Sequence, residues 1–294
     1  MRNRSDIAAA ISAATGERFA IEAFHAVGGG CINQAYRVEG NGRCYFVKLN
    51  AMTALEMFAA EAEALNALRA TATVRVPEPI CWDVAGESAY LVLEHLSLGQ
   101  ESASSAEALG MLLAQLHRHT GGHYGWHRDN TIGSTPQRNT PDTEWLHFWQ
   151  EQRLGYQLRL AARHGFGGTL QRKGERLLNV LGLALAGHSP PASLLHGDLW
   201  SGNHATLRDG QPVLFDPASY YGDRETDLAM TELFGGFSPR FYAAYREHYP
   251  LDEGYALRKT LYNLYHVLNH LNLFGAGYAS QAEQMMDDLL SELV

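Results

Sequence analysis

Residues 35–38 and 43–49 are β-prone runs on either side of Gly40-Asn41-Gly42, and an Asn-Gly between two such runs commits the stretch to an antiparallel hairpin. The punctuation recurs in residues 81–96, where two apolar runs flank Gly86 and predict a second hairpin. Residues 5–15 read as a helix stopped by Gly16. Thr53 and Glu56 have capping-box spacing ahead of an Ala/Leu/Met/Glu-rich helix that runs to about residue 70. The small, polar stretch 97–105 is the best linker, so a lobe of residues 1–96 should precede one of residues 97–294. In the latter, Ser104 and Glu107 again have capping-box spacing. Leu109, Leu112, Leu113 and Leu116 then keep the i, i+3, i+4, i+7 rule of a core-facing helix. Helical patterns also cover about 144–164, 170–186 and 257–274, with an irregular polar insertion near 194–217. The expected class is α+β, a small antiparallel β lobe followed by a larger helical one.

Composition removes several functions. Against 32 Asp+Glu stand 23 Lys+Arg, a formal charge of −9. General nucleic-acid binding normally needs a basic surface, so no nucleic-acid partner is expected. Cys31, Cys44 and Cys81 are odd in number and form no CxxC pair, which suggests neither a disulfide framework nor a zinc site, and a reducing cytoplasm. The first twenty residues do not read as a signal peptide. No run approaches the ~18 apolar residues of a membrane-spanning helix, so no membrane partner is expected. The 14 histidines invite a metal reading, but His266 and His270 lack the glutamate of a zincin, and His117, His119, His123 and His127 scatter over a helix end and loop.

Chemistry concentrates in Leu194-Leu-His-Gly-Asp-Leu-Trp-Ser-Gly-Asn203 and the following Pro212-Val-Leu-Phe-Asp-Pro-Ala218. Asp198 and Asn203 have the D-x-x-x-x-N spacing of a kinase catalytic loop, in which the Asp accepts the substrate hydroxyl proton and the Asn holds Mg²⁺. Asp216, after an apolar run, offers a second hard oxygen ligand. Each of the three alone would be a turn-capping residue; together they point to phosphoryl transfer. Gly28, Gly29 and Gly30 lie between strands, where backbone N–H groups can approach phosphates. Lys48 sits within Tyr45-Phe-Val-Lys-Leu49, a costly place for a cation without a partner anion. Glu61 or Glu63 on the next helix would pair with it, and Glu61, near the helix middle, is preferred. Glu94, His95 and Leu96 would line the adenine pocket chiefly through backbone atoms.

With Gly28-Gly-Gly-Cys-Ile-Asn33, Asp129-Asn-Thr-Ile-Gly-Ser-Thr-Pro-Gln137, His196-Gly-Asp-Leu-Trp-Ser-Gly-Asn203, Asp216-Pro-Ala-Ser-Tyr-Tyr-Gly-Asp-Arg-Glu225 and Leu264-Tyr-His-Val-Leu-Asn-His-Leu-Asn-Leu-Phe-Gly275, the chain resembles the fructosamine kinase family over nearly its whole length. That family falls within the aminoglycoside/choline phosphotransferase group. The resemblance implies a protein-kinase-like fold with ATP and Mg²⁺ in the cleft. It also implies phosphorylation at the sugar 3-hydroxyl of ketoamines, either small molecules or glycated lysines on proteins, which lets the amine leave. It favours Glu61 as the partner of Lys48. It makes His196 a support of the loop and gives Asp227 the role of accepting hydrogen bonds from the loop backbone. Trp200 would stack on the sugar ring or support the loop as a core indole. Asp129 and Asn130 would be acceptor-side residues or a surface turn. Other readings stay open: a kinase for an aminoglycoside or amino alcohol, and a catalytically silent nucleotide-binding module. Cys31, at the tip of the glycine loop, is either a redox-active thiol forming a disulfide-linked homodimer or a packing residue beneath the loop.

Overall fold

The structure, a computed structural model, describes residues 2–28 and 32–294. Its contacts divide the chain into two compact units, Met1–Ser105 with His204–Pro217 and Ala106–Asn203 with Ala218–Val294.

The first unit is one antiparallel sheet with two helices. Helix α1 (Arg2–Thr15) ends at Gly16, which takes a φ of 72°. Strands β1 (Ala23–Val27), β2 (Gln34–Gly40), β3 (Arg43–Ala51), β4 (Pro79–Ala85) and β5 (Ser88–Glu94) are ordered β1-β2-β3-β5-β4. The β2–β3 turn is the expected one: Asn41 and Gly42 have φ of 50° and 73°, the left-handed pair that a two-residue hairpin loop requires. Tyr45 and Val47 on β3 pack with Ile7 and Ile11 of α1, Phe19, Val38, Tyr90 and Val92 into one core.

Helix α2 (Leu55–Ala70) buries Phe58, Leu65 and Leu68 completely, each worth about 1.5–3 kcal/mol. Its start corrects the sequence reading. Thr53 lies inside a 3₁₀ turn (Met52–Ala54), so Ala54 is the N-cap and no side chain caps the helix. The hairpin of His204–Thr206 and Pro212–Leu214 joins this unit through backbone bonds from Leu214 N–H to Arg75 O (2.9 Å) and from Gly99 N–H to Thr206 O (2.7 Å).

Helix α3 (Ala103–Leu116) is capped two residues earlier than expected. The Ser102 hydroxyl accepts from Ser105 N–H at 3.1 Å, and Glu107 instead pairs with Arg240 at the surface. Leu109, Leu113 and Leu116 are buried as their spacing predicts. The second unit continues with α4 (Trp145–Phe148), a π turn (Trp149–Leu154), α5 (Gly155–Arg163) and α6 (Thr169–Ala184). After residue 222 come α7 (Glu225–Thr231), α8 (Pro239–His248), α9 (Tyr255–Phe274) and α10 (Ala279–Leu293). Every residue of α7 is buried, so it offers no amphipathic period to read. Among the described residues no helix is long and apolar enough to cross a membrane.

Candidate active site

In the first unit the strand alternation that turns Val47 toward α1 turns Lys48 toward α2. Lys48 is in register with Ala35 on β2 and Leu91 on β5, a central position, and is 4% exposed. Its Nζ lies 2.6 Å from Glu61 Oε1 and 2.6 Å from Asp216 Oδ1; Glu61, not Glu63, makes the contact. Burial alone would lower the Lys48 pKa, but Asp216 and then Glu61 outweigh it and raise it, so the ammonium stays charged.

Asp216 follows the 204–214 hairpin with φ of 56°, a conformation that non-glycine residues rarely hold. Its side chain is 49% exposed although one oxygen is on Lys48. Two carboxylates around one ammonium leave a net negative charge, with part of a hard oxygen donor accessible, which suits a divalent cation such as Mg²⁺.

Glu94 ends β5 with its polar groups engaged. The carboxylate pairs with Arg75 and accepts from Glu78 N–H, and its own N–H donates to Glu78 O at 2.8 Å. His95 and Leu96 follow, half-buried, and burial and then Arg37 lower the His95 pKa. Gly28 is exposed beyond β1. Gly29, Gly30 and Cys31 lie outside the described residues, and so does the disulfide expected at Cys31. Cys44 and Cys81 are half-buried free thiols.

In the second unit the loop is held from within. Asp227 on α7 accepts His196 N–H at 2.7 Å and Gly197 N–H at 2.8 Å, one on each carboxylate oxygen. Burial would raise the Asp227 pKa; His117, His196 and the Gly197 N–H reverse that and hold it below the ordinary carboxylate value. Gly197 has φ of 86°, a left-handed turn, just before the half-buried Asp198. His196 is fully buried, and its Nδ1 accepts from Asp198 N–H at 3.3 Å. Asn203, 5% exposed, donates from Nδ2 to Asp198 O at 2.8 Å and approaches Asp198 Oδ2 at 3.4 Å. Its amide nitrogen is therefore turned to Asp198, and its oxygen, the atom able to ligate a metal, faces away. Trp200 is not a core indole. It is 39% exposed and packs close to Gly202, where a Cβ would fall 2.2 Å from the ring.

Asp129 and Asn130 spend their polar atoms internally. Asp129 pairs with Arg138 at 2.6 Å and accepts Asn139 N–H, while Asn130 is buried and bonded through both ends of its amide. Sequence reasoning missed His117, set aside with the scattered histidines. Fully buried just past the end of α3, it bridges Asp227 Oδ2 (3.2 Å) and the Tyr245 hydroxyl (2.8 Å). Its position one residue past Leu116, on the helix's apolar side, was the available signal.

Residues 3–292 match the family model described as fructosamine kinase. The chain belongs to the fructosamine kinase family. A "probable ketoamine kinase" of Synechocystis sp. is 50% identical over 285 residues, 97% of this chain and 96% of its own. The chloroplastic "protein-ribulosamine 3-kinase" of Arabidopsis thaliana is 42% identical over 273 residues, 91% and 82% of the two chains. Among solved structures, a "putative fructosamine-3-kinase" of Haemophilus somnus has a TM-score of 0.90 at 31% identity, covering 97% of this chain and 96% of its own. A choline kinase of Streptococcus pneumoniae, at 16% identity and TM-score 0.64 over 98% of both chains, shares the protein-kinase-like fold. This member of the fructosamine kinase family is thus a phosphotransferase acting on a hydroxyl group.

Proposed function

We propose that the protein is an ATP- and Mg²⁺-dependent kinase that phosphorylates the sugar 3-hydroxyl of ketoamines, fructosamines or ribulosamines, on small amines or protein lysines, so that the amine is released. The reading is carried by Asp198 beside Asn203, on a loop anchored by Asp227, in a chain 42% identical to a protein-ribulosamine 3-kinase. Asp198 orients the acceptor hydroxyl and takes its proton. Lys48, kept charged by Glu61 and Asp216, binds phosphate oxygens, with Gly28, Gly29 and Gly30 offering backbone N–H groups. Asn203 and Asp216 supply hard oxygens for the metal. Bound Mg²⁺ and ATP supply the transferable phosphoryl group and neutralise its charge. The segment Glu94, His95 and Leu96 receives the adenine, and the open face of Trp200 receives the sugar. Three cysteines, odd in number and without a CxxC pair, suit a reducing cytoplasm.

ATP consumption over fructosyl-lysine, ribulosyl-lysine and an aminoglycoside tests this. Turnover with a ketoamine, and phosphate on its O3 by NMR, is expected. Turnover confined to the aminoglycoside, or none with any acceptor, overturns it.

A further inference from the structure

A second group of side chains reaches the catalytic loop through the peptide of Ala218. Asn130–Ile132 and Thr135–Gln137 form a short hairpin that delivers two buried amides. Gln137, 1% exposed, donates from Nε2 to Ala218 O at 3.0 Å and to Asn130 Oδ1 at 2.9 Å, and its Oε1 accepts from the Tyr265 hydroxyl at 2.8 Å. Asn130 Nδ2 donates to Ser219 O at 2.9 Å. Backbone carbonyls only accept, so neither amide can be turned round without losing its bond. Behind them Asn139 donates to Asn130 Oδ1 at 2.8 Å, and Arg153 donates from Nη2 to Asn139 Oδ1 at 2.8 Å and from Nη1 to Arg138 O. Arg153 is fully buried, its guanidinium 4.0 Å from the Tyr220 ring centre. It projects from the π turn Trp149–Leu154, a helix irregularity frequent at functional sites.

The peptide they grip is part of the loop's support. Ala218 N–H donates to His196 O at 2.9 Å, and Ala218 O lies where a Cβ on Gly197 would be 2.1 Å away. The carbonyl held by Gln137 therefore bounds the residue next to Asp198. If it moves, the loop loses its contact surface. We infer that Gln137, oriented by Asn130, is a positioning residue that holds Asp198 in its productive place through Ala218. It touches no substrate. The inference rests on the reading of Asp198 as the group that takes the hydroxyl proton.

Gln137→Ala and the isosteric Gln137→Glu, which sets an oxygen against Ala218 O, test it, with Tyr265→Phe leaving both Nε2 bonds intact. In both Gln137 variants kcat with the best ketoamine should fall about 10- to 100-fold while KM for ATP stays within about twofold, and Tyr265→Phe should retain most of kcat. Amide hydrogen exchange at residues 195–198 and 218–220 should quicken without change in α10. A kcat within about threefold of wild type in Gln137→Glu, or exchange that rises equally throughout the unit, overturns the positioning role. Should the wild-type enzyme turn over no ketoamine, the proposed function falls separately. Exchange then decides, and unaltered rates at 195–198 in Gln137→Glu overturn the inference.

Discussion

Lys48 and Asp216 are 168 positions apart in sequence, and their ammonium and carboxylate meet at 2.6 Å. The same Nζ holds Glu61, so one cation from a central strand ties a helix and the end of a distant hairpin to the sheet.

Removing that cation should cost both fold and binding. Lys48→Met strands Glu61, whose side chain is 10% exposed, without its counter-charge, and breaking a buried pair this way typically costs about 3–5 kcal/mol. Thermal melting should drop by several degrees, and Mg²⁺-ATP should no longer raise it. A variant that melts like the wild type and is still stabilised by Mg²⁺-ATP would remove Lys48 from the nucleotide site.

Asp198→Asn preserves shape and leaves the Asn203 bond to the backbone carbonyl of residue 198, but removes the proton acceptor. Turnover should fall about 10² to 10⁴-fold with ATP affinity kept, as read by steady-state kinetics and calorimetry. Turnover within about threefold of wild type would refute the assignment.

Trp200→Ala should raise KM for the ketoamine far more than KM for ATP, because the half-open indole can act only on the acceptor if it stacks on the sugar. Its exposure also means that stability should change little. Equal rises in both KM values, with a lower melting temperature, would make the indole a support of the loop.

His266 gives the fold an acid limit. Burial, and then His270, lower its pKa from 6.5 to about 3. As pH falls the unfolded chain takes up this proton first, so the contribution is whole above about 6.5 and is lost progressively toward 3, at about 1.4 kcal/mol per pH unit. Urea midpoints measured from neutral pH down to about 4.5 should fall steeply in wild type and less steeply in His266→Gln. Parallel slopes would show that another group sets the acid limit.

Much of the architecture was legible because its signals are local. A left-handed pair at Asn41-Gly42, glycine after α1 and the 3.6-residue leucine stripe on α3 each depend on residues within a turn or two. Capping was less legible. Ser104 and Thr53 match the pattern, yet Ser102 caps α3 and no side chain caps α2, since the approach of the preceding chain selects the cap.

Taken alone, the sequence determined the inventory: a lysine inside an apolar strand, an aspartate and asparagine at catalytic-loop spacing, and an aspartate after a short hydrophobic run. Those choices of residue type carry their chemistry wherever the chain goes. Only the tertiary structure decided that Asp216 meets Lys48, that residues 204–217 join the first unit, and that Asn130 and Gln137 turn inward onto Ser219 and Ala218. Each of these is a pairing between segments far apart in sequence. It is set by which backbone groups burial would otherwise leave unsatisfied, a condition that exists only once the elements have packed.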